Sequence, residues 1–190
     1  MDTKRALLTS AERLMRQHGY DAVSFGALAE EIGIKTASIH YHFPRKADLA
    51  LALLDLYAAK LERQRGNIAM NAGSGGAAIA SLVSLYRAAL NDGRQLCLCV
   101  AFAVGREHLS VEVKAILERF HQQTLNWLEN AFERARQDKS MRGISDPKAE
   151  AAACLALLEG AQIIARAAGR LAPYDAATEA LKQRMTGDPR

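Results

Sequence analysis

Residues with chemistry to offer fall in two places. Between Ile32 and Ala47 the chain carries Lys35, His40, His42, Arg45 and Lys46, interleaved with Thr36, Ser38 and Tyr41, and no Asp or Glu. Cations and hydroxyls suit phosphate oxygens, and short polar groups can approach base edges closely. That chemistry is recognition of nucleic acid. The second place is Cys97 and Cys99, which follow Arg94. A thiol at the start of a helix feels the positive end of the helix dipole, which favours the thiolate. The plainer reading of the pair is two small core residues. A disulfide between them is not expected, because side chains two apart on a helix diverge.

Catalytic constellations do not stand out. His40 and His42 point to different helix faces and are poor co-ligands for a metal, and His18, His108 and His121 are isolated in the sequence. The Gly-rich stretch Asn71–Gly76 lacks the Lys-Ser/Thr ending of a phosphate-binding loop. Neither a zinc-binding helix motif nor a Gly-x-Ser-x-Gly elbow appears. No catalytic residue, metal or cofactor is expected, and the chain is expected not to be an enzyme.

The basic stretch needs elements to present it. Ser24 is a good N-cap, Leu28, Ala29 and Ile32 give the following helix an apolar face, and Gly33 suits its C-terminus. Thr36 is positioned to cap a second helix with Ala37, Ile39 and Phe43 on its apolar side, and Pro44 stops it by Phe43. Two short helices joined by a Gly-containing turn form a helix-turn-helix. Helix-turn-helix geometry also occurs in proteins that bind no DNA, so spacing alone leaves DNA binding open. A preceding helix, Thr3–His18, with Ala6, Leu7, Ala11, Leu14 and Met15 inward, completes the smallest stable unit.

The 190 residues include 49% hydrophobic and 24% charged, enough for a substantial core in one domain or two small ones. Net charge is +4. The excess is spread evenly, with ten Lys/Arg against eight Asp/Glu in residues 1–66 and fifteen against thirteen in the rest. The basic signal is therefore local to the helix-turn-helix. Three cysteines and a charged amphipathic start point to a reducing cytoplasm and not to a disulfide framework. No run of about eighteen uninterrupted apolar residues is present, so no membrane span is expected.

Further along, the pattern predicts a lever-like helix from Lys46 to about Arg65 and a flexible break over Gly66–Gly76. Helices are then expected at 77–90, 95–104, 110–138, 147–169 and 175–185, with a loose tail at Gly187–Arg190. No strand or internal repeat is evident. The segment 147–169 opens with an Asp146 cap followed by Pro147 and closes at Gly169. After Lys148 only Glu150, Glu159, Gln162 and Arg166 interrupt its apolar run. A helix apolar around most of its girth is buried on more than one side. One side is the subunit's own core. The other is most simply a second subunit, with Ala151, Ala156, Gly160, Ala161, Ala165 and Ala168 allowing close approach. A central core helix within one chain is the alternative.

The stretch from about Gly19 to Leu54 resembles the DNA-binding domain of the TetR/AcrR family of transcriptional regulators. The matching residues are Gly19-Tyr20, Ser24, Leu28-Ala29, Gly33-Ile34, Ala37 through Phe43, Lys46 and Leu49. The resemblance covers about the first third of the chain. It implies an all-α homodimer of about nine helices per chain: a helix-turn-helix DNA-binding domain at 1–46, then a helical ligand-binding and dimerisation bundle at 47–190. Dimerisation is implied through the helices at 147–169 and 175–185. By position, Lys35, Thr36, Ser38, His40, Tyr41 and His42 would face the major groove and its phosphates, and Ser24 and Lys46 would contact phosphates. A Lys-Thr pair at 35–36 and His40 in place of the usual Tyr depart from the family pattern, so the operator sequence does not carry over.

The function implied is a repressor released from a palindromic operator by a small-molecule inducer. Candidates to line the inducer site are Tyr86, Cys97, Cys99, Phe102, Phe120, His121 and Trp127, each of which also reads as core packing. A thiol-based sensor of electrophiles or oxidants, using Cys97 and Cys99, is the alternative signal. A helical binding or enzyme domain that has kept the helix-turn-helix only as scaffold is the alternative class.

Overall fold

Ser24 shows how local chemistry starts an element here. In the computed structural model, which describes residues 3–186, its Oγ accepts from the Ala27 amide at 3.1 Å. That bond opens α2 (Phe25–Ile32), and Gly33 closes it in the left-handed conformation (φ 75°), its amide reaching the Ala29 and Glu30 carbonyls. The other elements are α1 (Thr3–His18), α3 (Thr36–His42), α4 (Lys46–Asn71), α5 (Gly75–Ala89), α6 (Leu98–Val104), a 3-10 turn at Arg106–His108, α7 (Val111–Gln137), α8 (Pro147–Ala168) and α9 (Ala172–Gln183). The fold is all-helical. Among the described residues the only β-type pairing is an isolated bridge between Met141 and Met185. The expected loose tail at Gly187–Arg190 lies outside the described residues.

The chain divides into two compact units. The first runs to Lys60 and takes in Leu96–Arg119; the second comprises Leu61–Gln95 and the chain from Phe120 onward. In the first unit α1 packs on α2 and α6, and α2 on α3. Leu7, Ala11 and Met15 of α1, Leu28 of α2, Ile39 of α3 and Leu49 and Leu53 of α4 are buried. Arg13 pairs with Glu31, tying α1 to α2 at the surface.

The second unit is built on the packing of α8 with α5 and α9. Its core includes Leu82, Tyr86, Phe132, Leu158 and Tyr174. Two buried polar side chains in it are bonded to backbone: Gln162 Nε2 donates to the Tyr86 carbonyl and Tyr174 Oη to the Val83 carbonyl, both at 2.8 Å. Asp146 caps α8 by accepting from Lys148 and Ala149, Pro147 follows it, and Gly169 ends the helix, as the sequence predicts. This is the one described helix long and apolar enough to cross a bilayer (mean hydropathy 1.4). One face of α8 is instead buried in the unit through Ala151, Cys154, Leu155, Leu158, Ala161, Gln162 and Ala165. On the outer face Ile163 and Ile164 stay 46% and 58% exposed, with Ala152, Ala153, Ala156 and Ala167 also open.

Several expected boundaries move, each for a physical reason. Thr36 does not cap α3. Lys35 takes the N-cap backbone position without a side-chain bond, because the Ile34 amide also returns to Ala29 O and leaves only two residues before the helix resumes. Gly66 does not break α4, which continues to Asn71. A helical Gly costs only about 1 kcal/mol relative to Ala, and its neighbours' bonds outweigh it: Trp127 Nε1 donates to the Arg65 carbonyl, and Arg134 to the Ala72 carbonyl just past the end. The Gly-rich stretch is not a loose loop at its second half. Ser74 caps α5, whose start at Gly75 and Gly76 is buried. A Cβ on Gly75 would lie 2.2 Å from the Ala135 amide nitrogen, so only Gly permits this approach. α6 begins at Leu98 and not Gln95, because Leu96 exchanges two bonds with Arg16: its amide donates to Arg16 O and its carbonyl accepts from Arg16 Nε. α9 starts at Ala172, ahead of the expected Asp175, with Pro173 in its first turn.

Candidate nucleic-acid interface and thiol site

α3 presents one side to the first unit's core and the other to solvent. Ile39 is fully buried and Phe43 nearly so, while Thr36, Ala37, Ser38, His40 and Tyr41 are exposed. Tyr41 is 85% exposed, an unusual position for a large aromatic side chain. A shallow groove runs along this surface, lined by Thr3, Ile34, Ala37, Ser38, Tyr41 and His42. The His42 ring stands edge-on to Tyr41 at 5.1 Å between centroids. His40 is turned the other way: Nδ1 lies 3.2 Å from the Pro44 carbonyl oxygen, and its ring meets Phe25 edge-on at 5.0 Å. Lys35 is exposed at the turn. Of the six α3-side candidates, Ser38, Tyr41 and His42 line this groove, Lys35 and Thr36 are exposed at the start of α3, and His40 faces away from the groove.

Ser24 and Lys46 are placed differently. Ser24 spends its acceptor on Ala27 and keeps a hydroxyl proton to donate. Lys46 lies over the Tyr20 ring, 4.2 Å from its centroid, with Nζ 3.4 Å from the Asp21 carbonyl. Partial burial there lowers its pKa, against the pull of Asp21. At the α4 start Asp48 accepts from the Arg45 amide at 2.9 Å and pairs with its guanidinium at 2.6 Å. Hydrogen bonding from Arg45 holds Asp48 below the usual carboxylate range.

The two cysteines sit inside the first unit. Cys97 is the residue immediately before α6 and Cys99 lies in its first turn; both are buried. Tyr57 of α4 donates its hydroxyl to Cys97 Sγ at 3.5 Å. The Cys99 thiol is the main donor that brings Cys97 down to about 7, overcoming burial, with help from the Tyr57 hydroxyl and the Cys99 and Val100 amides. Arg16 stands over the Tyr57 ring at 5.8 Å. Cys154, in the second unit, is equally buried but moves the other way. Burial, with Glu150 nearby, pushes it up to about 12. Tyr57 and Arg16 are invisible as partners in the sequence, lying 40 and 81 positions before Cys97.

The remaining inducer candidates do not gather in one unit. Phe102 is in the first, its ring 5.2 Å from Tyr20. Tyr86, Phe120, His121 and Trp127 are in the second. There Arg65, buried, lies over Phe120 at 5.3 Å and donates to Thr124 Oγ1 at 3.0 Å. The next residue, His121, faces Glu159 of α8 at 3.1 Å, and Trp127 bonds to the backbone of Arg65. Neither His121 nor His108 is isolated in space; His108 Nδ1 lies 2.8 Å from Asp21 in the first unit.

A three-helix unit whose third helix is exposed on one side and carries no Asp or Glu has the form of a helix-turn-helix unit. Residues 7–53 match the family described as bacterial regulatory proteins, tetR family. Residues 7–53 thus carry the DNA-binding domain of the tetR family of bacterial regulatory proteins, and the chain as a whole has the fold of TetR-family regulators. It is similar to the HTH-type transcriptional repressor NemR of Escherichia coli, 23% identical over 186 residues, spanning 95% of this chain and 92% of NemR. Among solved structures, a TetR-family regulator from Agrobacterium tumefaciens superposes with TM-score 0.90 at 24% identity, covering 96% and 97% of the two chains. A TetR regulator from Legionella pneumophila superposes with TM-score 0.85 at 28% identity over 98% of each.

Proposed function

We propose that this protein is a homodimeric repressor that occupies a palindromic DNA site and leaves it when a small molecule binds. The observation that carries the reading is the α3 surface, where Tyr41 stands open and shares with Ser38 and His42 a groove whose lining holds no carboxylate. A two-fold pair of such surfaces matches a two-fold DNA site. The outer face of α8, with Ile163 and Ile164, supports pairing through α8 and α9, because an exposed apolar helix face of this kind is what a partner subunit covers. Repression is also what NemR, the similar regulator, is named for. On this reading residues 1–46 carry DNA contact and 47–190 the ligand and dimer functions, and the protein works in the cytoplasm without catalysing a reaction. Lys35, Thr36, Ser38, His40, Tyr41 and His42 meet bases and phosphates, with Ser24 and Lys46 on phosphates. Within the second unit Phe120 and Trp127 against Arg65, with His121 edge-on to Phe120 and Tyr86 on α5, support the inducer assignment. Footprinting on intergenic DNA beside the protein's own gene tests the proposal. Protection of an inverted repeat, lost steeply as salt rises, is expected; binding without sequence preference at moderate salt overturns it.

A second signal is favoured by Cys97, whose Tyr57, Cys99 and amide donors stabilise a thiolate near neutral pH. On this reading an electrophile that alkylates Cys97 releases the DNA. Cys97→Ser abolishing release by an alkylating agent supports it, and unchanged release leaves the reversible inducer.

A further inference from the structure

The sequence preference of α3 has an identifiable chemical source. With 3.6 residues per turn, Ala37 and Tyr41 lie roughly 160° and 200° around the helix from the buried Ile39. They are therefore the middle of the outward face, one turn apart, and both are exposed. Ile34, from the preceding turn, lines the same groove. The flanks are Thr36 and Ser38 hydroxyls. His40 is held aside by Pro44 and Phe25; with Nδ1–H on the Pro44 carbonyl, its neutral ring keeps only an acceptor free. From Thr36 to His42 there is no Arg, Lys, Asn, Gln, Asp or Glu. The side chains that read guanine, adenine or cytosine through paired hydrogen bonds are thus absent from this helix. What its centre offers is the Ala37 methyl group and the Tyr41 phenol, whose ring supplies apolar surface. The one base feature of the major groove that such a surface recognises is the 5-methyl group of thymine.

We infer that Ala37 and Tyr41, set side by side at the centre of α3, read thymine methyl groups, and that this contact carries the base preference of the half-site. The inference rests on the DNA-binding reading above and specifies what that surface selects. Lys35, Thr36, Ser38 and His42 then serve mainly as phosphate and hydroxyl contacts that hold the helix in register, and the salt dependence of binding belongs to them.

The test uses the full-length protein and a duplex selected by it from random sequence. Each thymine of the selected site is replaced in turn by deoxyuridine, which removes the 5-methyl group and leaves base pairing unchanged. Affinity is measured by fluorescence anisotropy at one salt concentration. The expected result is a loss of about fourfold at one thymine or more in each half-site, the ratio for one buried methyl group, and about fifteenfold when both half-sites are substituted. Ala37→Gly and Tyr41→Ala are each expected to shrink the thymine-to-uracil ratio, and the double variant to bring it to about one. A thymine-to-uracil ratio below two at every position, measured on the unaltered protein, overturns the inference whether or not the variants fold. So does an unchanged ratio in a folded Ala37→Gly protein. Failure of the selection to return any consensus would instead count against sequence-specific DNA binding itself, and this inference would fall with it.

Discussion

The phenol of Tyr57 donates to the sulfur of Cys97 at 3.5 Å, joining the middle of α4 to the residue that opens α6. This bond helps separate Cys97 from Cys154, two thiols of equal burial and opposite titration. Cys97 ionises near 7, so below that pH it is a thiol and above it increasingly a thiolate, the reactive form. Alkylation by iodoacetamide, followed site by site by mass spectrometry, is expected to reach Cys97 well before Cys154, with the Cys97 rate rising through about pH 7 and levelling about a unit above it. Tyr57→Phe removes a donor to the thiolate and moves that rise to higher pH. The folded-state value lies below the ordinary value of 9.0. Cys97 therefore favours the folded state fully above pH 9.0, and the contribution fades as pH falls through about 7.

Two glycines are expected to respond to alanine in opposite directions. At Gly75 the added Cβ would meet Ala135 N at 2.2 Å and Ala131 O at 2.6 Å. Both are helix backbone atoms that cannot turn aside, so Gly75→Ala should lose about 2 kcal/mol or more, on the order of other overpacking changes. Gly66 lies inside α4, and a methyl group added there would find nothing within 4 Å. Gly66→Ala should gain about 0.5–1 kcal/mol from helix propensity and the lower entropy of the unfolded chain. Urea denaturation of both variants checks the sign.

That contrast also marks where sequence reading stops. Ser24, Gly33, Asp146, Pro147 and Gly169 are legible because a cap is made by residues within a few positions of one another. Gly66 reads as a break because what supports α4 there comes from Trp127 and Arg134, about sixty positions away. The α6 start is hidden for the same reason, since Leu96 is held by Arg16. On the α3 surface the exposure of Lys35, Thr36, Ser38 and Tyr41 agrees with their polar types. The tethering of Lys46 over Tyr20 and of His40 to Pro44 depends on rotamers and neighbours that no pattern records. Tyr57 beside Cys97 is equally hidden.

Arg65 offers a probe of the second unit. Its guanidinium is buried over Phe120 and donates to Thr124, and its carbonyl receives the indole N–H of Trp127, the chain's single tryptophan. Arg65→Ala removes packing and leaves Thr124 short of a donor, and is expected to cost about 2–4 kcal/mol. Arg65→Met keeps the aliphatic volume and should cost less. Trp127 emission should move to longer wavelength in Arg65→Ala as water reaches the indole, and denaturation followed by that emission gives the stability directly.

The outer face of α8 yields the last prediction. Ile163 and Ile164 are adjacent in sequence and both exposed on a helix whose other side is packed against α5 and α9. If a second copy covers this face, a charge placed there must be buried without a partner on each side of the two-fold axis, a cost of several kcal/mol for the pair. Ile164→Asp should therefore convert a dimer to a monomer at micromolar concentration, read by sedimentation equilibrium. Circular dichroism should stay helical, because the residue does not contribute to the subunit's own core. Affinity for a full inverted repeat should fall by about a hundredfold or more, while affinity for a single half-site stays unchanged, since α3 is untouched. A dimer that persists in Ile164→Asp and in the double variant with Ile163→Asp would show that this face is not where the subunits meet.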